Sequence, residues 1–388
     1  MTEPLAANIY LDHNATTPVL PEVRAAMAPY LDAAFGNPSS LHRWGAAARE
    51  AVDGARRQVA AALRCAPDEV VFTSGGTEAD NAALLGVVAA ARSGRRRVVT
   101  TAIEHVAVLR ACRLLERHGC EVAYVAPGAD GSVDPEAIAA AIDERTCLIS
   151  VMHANNETGV IQPVAAVGEL AWHRGIAFHV DAVQTLGRLP VDADRLSADL
   201  IAVSAHKLNG PKGVGALYVR RGMVLEPLVH GGGQERGRRA GTENVAGIVG
   251  FGRAVELHRQ HGAAWEERTR RLRDRLERGL LERLDGVRVN GGAPRLANTS
   301  NLAFAGTSAR ELVQALDQRG IAAASGSACA AERPGPSHVL LAMGQSPQQA
   351  DSAVRFSLGW GNTDAEIERV LAIVPEVVRG LRGHRGRC

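Results

Sequence analysis

Short apolar runs recur along the chain between segments of helical pattern, at 70–73, 98–101, 148–152, 176–180, 200–204 and 216–219. Continuous runs of this length predict strands buried on both faces, and their alternation with helices predicts an α/β fold around a largely parallel sheet. Further on, residues 263–284 are charged, with apolar positions returning at helical spacing, which predicts a long surface helix. Residues 298–304 and 354–358 then read as strands and 309–319 as a helix, so a smaller α+β domain is expected after the large one.

The segments that follow the apolar runs are not ordinary linkers. They read Ser74-Gly75-Gly76-Thr77-Glu78, Glu104-His105, His153-Ala154-Asn155-Asn156-Glu157, Asp181-Ala182-Val183-Gln184 and Ala205-His206-Lys207. Five strand ends thus bring polar or titratable groups to one edge of one sheet, which is where ligands of such sheets bind.

Composition narrows the class. At 388 residues two packed domains are the prior expectation, and 46% hydrophobic with 22% charged residues is ordinary for a globular protein. No apolar run is long enough for a bilayer, and the opening Met1-Thr2-Glu3-Pro4 lacks a secretory pattern, so a cytoplasmic protein is expected. A net charge of +2 gives no global field for nucleic acid or membrane, although Arg95 to Arg97 and Arg236 to Arg239 are locally basic. Cys65, Cys112, Cys120, Cys147, Cys329 and Cys388 show neither CxxC pairing nor ligand spacing. That argues for reduced thiols and against a resident metal.

Several positions carry candidate chemistry. A lysine at the end of a buried strand is costly if charged, so Lys207 reads either as a Schiff-base amine or as a turn residue. Asp181, one strand earlier, suits a protonated ring nitrogen or simply caps its turn. Gly75-Gly76-Thr77 opens a helix whose free N–H groups could hold a phosphate, though such turns are common. His105 reads as a proton-exchanging ring stacked on a cofactor or as a structural histidine.

Taken together, the segments 35–42 (FGNPSSLH), Glu104-His105, 155–159 (NNETG), 179–184 (HVDAVQ), His206-Lys207, 238–244 (RRAGTEN) and 325–329 (SGSAC) resemble the cysteine desulfurases of the NifS/IscS type, in order from about Ile9 to the last strand. The resemblance implies the pyridoxal 5'-phosphate (PLP) transferase fold of type I. It also implies a large domain over 15–258, and a small one over 1–14 and 259–388 that carries the catalytic-cysteine loop. Lys207 would bear the coenzyme, Asp181 would meet its ring nitrogen, Gln184 its phenolic oxygen, and His105 would stack on the ring. Gly76, Thr77, Ser204 and His206 would hold the phosphate, with Thr242 reaching over from the partner of a homodimer. Asn156, which also borders the coenzyme, and Arg355 would bind the carboxylate of L-cysteine.

By the same resemblance, Cys329 would attack the substrate sulfur, become a persulfide and leave alanine, with Lys207 or His105 moving protons and His105 taking the thiol's. The bland alternative is an inert thiol on a loop of small residues. Sulfur would pass to an acceptor or scaffold protein for iron–sulfur clusters or related thio-cofactors, with Cys329 open as a transient cluster ligand. After Cys329 the run Ala330-Ala331-Glu332-Arg333-Pro334-Gly335 departs from the family's Thr-Ser-Gly-rich continuation and predicts a stiffer, more charged loop. A selenocysteine lyase or cysteine-sulfinate desulfinase shares this fold. A non-catalytic RNA-binding or scaffold protein, argued from the basic glycine-rich loop 231–241, is the rival from another class.

Overall fold

Backbone pairing turns the apolar runs into strands. The computed structural model describes residues 8–92, 94–326 and 335–385, and the strands in chain order are β1 (Ile9–Tyr10), β2 (Val70–Thr73), β3 (Arg97–Thr101), β4 (Glu121–Val125), β5 (Thr146–Met152), β6 (Ala177–Asp181), β7 (Leu200–Ser204), β8 (Gly215–Val219), β9 (Val287–Val289), β10 (Thr299–Phe304), β11 (Ile321–Ala322) and β12 (Ala353–Ser357). Seven of them form the main sheet in the order β2-β8-β7-β6-β5-β3-β4. The pairs β7–β6, β6–β5, β5–β3 and β3–β4 are parallel, whereas β8 is antiparallel to both its neighbours. β2 therefore points the same way as β7, and six strands end at one edge.

Both faces of this sheet are covered, which is why the runs are continuous rather than alternating. In β7, Leu200 and Ala202 pack under the helices Gly76–Ala90 and Val106–Arg117, while Ile201 and Val203 face a second core with the helices Arg43–Leu63 and Val164–Arg174. At the sheet margin the Glu235 carboxylate takes the place of a further strand. It accepts from the Phe72 N–H at 2.9 Å and pairs with both ends of the buried Arg56 guanidinium at 2.6 and 2.8 Å, while Arg56 donates to the Val70 oxygen.

A second, antiparallel sheet, β12-β10-β9, and the short parallel pair β1–β11 stand on a separate core. The helix Val245–Arg283 bridges two of the three cores. Ile248, Phe251 and Val255 lie with Ile201 and Val203, and Leu272, Leu276 and Leu280 in the core of the antiparallel sheet. Its 39 residues span nearly 60 Å at about 1.5 Å per residue.

Four details differ from the sequence reading. The long helix starts at Val245 rather than near 263, and its inner stripe is buried, so only one side is surface. β4 was not anticipated, because its residues are mostly half-exposed and lack an apolar run. β8 runs against the sheet, a direction no residue pattern encodes. β6 extends to include Asp181 itself. Among the described residues, no helix is long and apolar enough to cross a membrane.

Candidate active site

The common edge of the parallel strands, closed from above by the turn after β1 and by β12, encloses a cavity of about 260 Å³. Gly76, Thr77, His105, Asn156, Asp181, Gln184, Ser204, His206, Lys207 and Arg355 all line it. Thr242 does not. It is exposed on the loop after Arg238 and Arg239. Cys329 lies outside the described residues.

Local rules place each group. β7 ends at Ser204 and turns through Ala205–Lys207, which swings the lysine over the strand end. There its Nζ donates to the main-chain oxygens of Asn14 and Ala15. Burial, then the nearby positive charges of Arg355 and Arg188, lower this amine to about 7. One strand over, burial raises Asp181 to about 6, against the Val183 N–H that donates to its Oδ1 at 2.9 Å and the charge of Lys207. The cavity therefore holds an amine and a carboxyl that both exchange protons near neutrality.

His105 is the N-cap of the helix Val106–Arg117, its Nδ1 accepting from the Ala107 N–H at 3.2 Å. Burial, reinforced by Lys207 and His338, lowers it to about 4, so the ring is neutral. With Nδ1 acting as an acceptor, the proton of the neutral ring sits on Nε2. In this state Nε2 is a donor while the lone pair of Nδ1 is engaged by the Ala107 N–H, so taking up a proton requires the capping bond to break. His206 is likewise lowered to about 4, by burial and then Lys207, and its Nδ1 lies 3.1 Å from Thr16 Oγ1.

The phosphate end and the carboxylate end are both built from rigid parts. The helix Gly76–Ala90 begins directly after β2, and a Cβ on Gly76 would stand 2.6 Å from Val183 Cγ2 and 3.7 Å from Ser204 Cβ. Glycine is what lets this turn reach the sheet. Ser204 Oγ is buried beside it without a partner among the described residues. At the other end, fully buried Arg355 spends one nitrogen of its fork on Asp12 Oδ1 at 2.6 Å and the other on the Asn156 oxygen at 2.9 Å. The turn carrying Asn156 is held by Asn155, whose Oδ1 accepts from the Glu157 and Thr158 N–H groups.

Sequence reasoning missed two parts of this wall. Asn14 and Ala15 contribute through main-chain oxygens, which residue identity does not advertise; Asn14 O also accepts from Gln184 Nε2 at 3.0 Å. Asp80 lines the cavity floor. Its signal was available, since it lies one helical turn after Gly76 and so on the same face as the cradle.

Comparison with known proteins agrees with this geometry. Residues 9–370 match the model of the aminotransferase class-V family. The chain is 46% identical over 375 residues to a cysteine desulfurase of Trichormus azollae, covering 96% of this chain and 94% of the relative. It is equally identical, 46% over 378 residues, to a cysteine desulfurase IscS of Methanosarcina thermophila, with 96% and 93% covered. The solved structure of a NifS-like protein superposes with a TM-score of 0.90 at 37% identity, covering 96% of this chain and 99% of that one.

Proposed function

Because the chain belongs to the class-V aminotransferase family, as a cysteine desulfurase of the NifS/IscS type, we propose that the cavity at the strand ends binds PLP and L-cysteine and passes the substrate's sulfur to Cys329. The family is PLP-dependent, and the residues fit the coenzyme. First-turn N–H groups at Gly76 and Thr77 have no acceptor within their own helix, the Ser204 hydroxyl beside them is orphaned, and His206 adds a ring nitrogen. Asp181 would meet the ring nitrogen, Gln184 the phenolic oxygen, and His105 would stack on the ring, all three lining the cavity. The observation that carries this reading is the convergence of a near-neutral lysine, a buried aspartate and a helix N-terminus on one cavity.

When bound, PLP supplies an electron sink for the substrate's α-carbon. Arg355 receives the substrate carboxylate in its planar fork, together with Asn156, and in doing so trades its bond to Asp12. The Lys207 amine, which burial and positive neighbours lower to about 7, takes the α-proton and returns one to the product. The Cys329 thiolate then forms a bond to the substrate sulfur as the carbon–sulfur bond breaks, and the electron pair left on carbon is protonated to give alanine. The thiol's proton goes to His105 once its capping bond opens.

The working unit is a homodimer in which Thr242 completes the partner's phosphate site. Leu31, Phe35 and Leu41 are large apolar side chains with exposures of 72%, 75% and 96%, which suits burial against a second copy. The persulfide passes to an acceptor or scaffold protein for iron–sulfur cluster assembly or related thio-cofactor synthesis. We place the enzyme in the cytoplasm, where the unpaired thiols of Cys65, Cys112, Cys120 and Cys147 suit a reducing milieu. The division into 15–258 and the remainder is supported by the separate core of residues such as Leu276, Leu302, Phe356 and Val374, while Val339, Leu340 and Met343 pack into the core of the main sheet.

The test is to incubate the purified protein with L-cysteine, L-selenocysteine and cysteine sulfinate in parallel. Alanine and protein-bound persulfide should appear in equal amounts from L-cysteine. Turnover of the other two substrates alone would overturn the proposal.

A further inference from the structure

Asp80 has no part in the roles assigned above, yet it forms the cavity floor. It projects from the helix Gly76–Ala90 onto β6, where its Oδ1 comes within 3.5 Å of His179 Nε2. Both side chains are almost wholly buried, at 2% and 0% exposure, and neither of the two facing atoms has a hydrogen-bond partner among the described residues. The other ring nitrogen, Nδ1, lies 2.9 Å from Ser150 Oγ. A carboxyl oxygen and an imidazole nitrogen left facing each other in a dry site are both satisfied if one proton stands between them.

We infer that Asp80 is a positioning residue of the coenzyme site: it keeps its proton and donates it to His179 Nε2, so that Asp181 is the single anionic carboxylate on the cavity floor. The groups that face Asp80 are His179 and Asp181 from β6 and Glu104 from the turn after β3. Carboxyl groups sharing one dry site do not all ionise. Asp181 has the better claim to the charge, because the Val183 N–H donates to it and Lys207 attracts it. Asp80 Oδ1 receives no donor. Burial, then the charges of Asp181 and Glu104, push Asp80 upward, and burial lowers His179 to about 3, so a neutral acid facing a neutral base is the consistent state. With Nε2 accepting from Asp80, the ring proton must sit on Nδ1 and be donated to Ser150 Oγ.

This inference rests on the reading of Asp181 as the ring nitrogen's partner, and it makes a tautomer the observable. In ¹⁵N-histidine NMR of the holoenzyme, with the signal assigned by its loss in His179→Gln, His179 should be a neutral Nδ1–H ring from about pH 6 to 9. Asp80→Asn retains a donor toward Nε2, so the tautomer and the pH midpoint of the bound coenzyme's visible absorbance should both stay put. If Asp80 is anionic instead, the wild-type ring will be the Nε2–H form. Asn will then remove a negative charge and lower the midpoint by about one unit, a tenfold loss of proton affinity; either result overturns the inference. Asp80→Leu fills the space without a donor and should redistribute the ring proton. An unchanged signal in the Leu variant would reduce Asp80 to filling space, and if that variant fails to fold, the wild-type and Asn spectra still decide. An Asp181→Asn variant with unaltered absorbance would sink the coenzyme assignment while leaving the tautomer result to stand on its own.

Discussion

Lys207 Nζ lies 2.5 Å from the main-chain oxygen of Asn14, 193 positions away in the chain, and 2.8 Å from that of Ala15. Two carbonyls thus aim an amine whose burial and positive neighbours hold it near neutrality, at about 7. Protonated below that pH, it does not attack an aldehyde; above it, the free amine predominates. Coenzyme uptake by the coenzyme-free protein should therefore rise as pH passes upward through about 7, rather than through the roughly 10.4 of an ordinary lysine. Arg188→Gln removes one positive neighbour and should move that midpoint upward. Stopped-flow absorbance measures both, and an uptake rate still climbing steeply at about pH 9 would contradict the assignment. Lys207→Ala should show no covalent coenzyme at all.

Arg355 is fully buried, with its fork already satisfied by Asp12 and the Asn156 oxygen. Arg355→Lys keeps the charge but not the planar pair, and should raise KM for L-cysteine about 30-fold or more, the size of a loss of roughly 2–5 kcal/mol for a broken buried pair. The fall in kcat/KM should exceed the fall in kcat. Steady-state alanine formation checks the split; a kcat-only effect would place the substrate carboxylate elsewhere.

Replacing Cys329 separates sulfur transfer from coenzyme chemistry. In Cys329→Ala the visible absorbance near roughly 400 nm that a lysine-bound coenzyme gives should survive, while persulfide and sulfide formation fall by orders of magnitude. Persulfide-specific labelling with mass spectrometry reads the first loss directly, and full turnover in this variant would remove Cys329 from the mechanism.

Glu235 combines a buried bidentate pair to Arg56 with a left-handed backbone, φ 46°, followed by Arg236 at φ 58°. Neither residue is glycine, so the pair must hold this conformation against its strain. Glu235→Ala should destabilise the fold by about 3–5 kcal/mol, since it strands a buried guanidinium. Removing both charges with Arg56→Met and Glu235→Leu together should be milder than the sum of the single changes. Denaturant titration of coenzyme-saturated protein measures all four variants.

Much of the site was legible because strand ends write their chemistry in sequence: His105, Asp181 and Lys207 each follow an apolar run closely. What escaped notice acts by other means. Asn14 works through its carbonyl, and Asp80 matters only once a helix is laid across β6. The first half of the helix Val245–Arg283 was unread because Gly247, Gly250 and Gly252 lower helix propensity. The reason they are there lies in packing: a Cβ on Gly252 would stand 2.7 Å from Ala55 Cα and 2.3 Å from Gln58 Oε1 of the neighbouring helix. β4 escaped for the opposite reason, as a half-exposed margin strand has no need of a continuous apolar run.

The turn that aims Lys207 is itself tied to late parts of the polypeptide. The Asn14 N–H donates to Ser357 Oγ and its side chain to Thr299, while Asp12 meets Arg355. Until the segment through residue 357 has folded, the Asn14 end of this turn lacks those anchors and is held from below, where Thr16 and Thr17 meet His206 and Asn209. The coenzyme site proposed around Lys207 is therefore expected to mature late in biogenesis, after the segment that contains the lysine has folded.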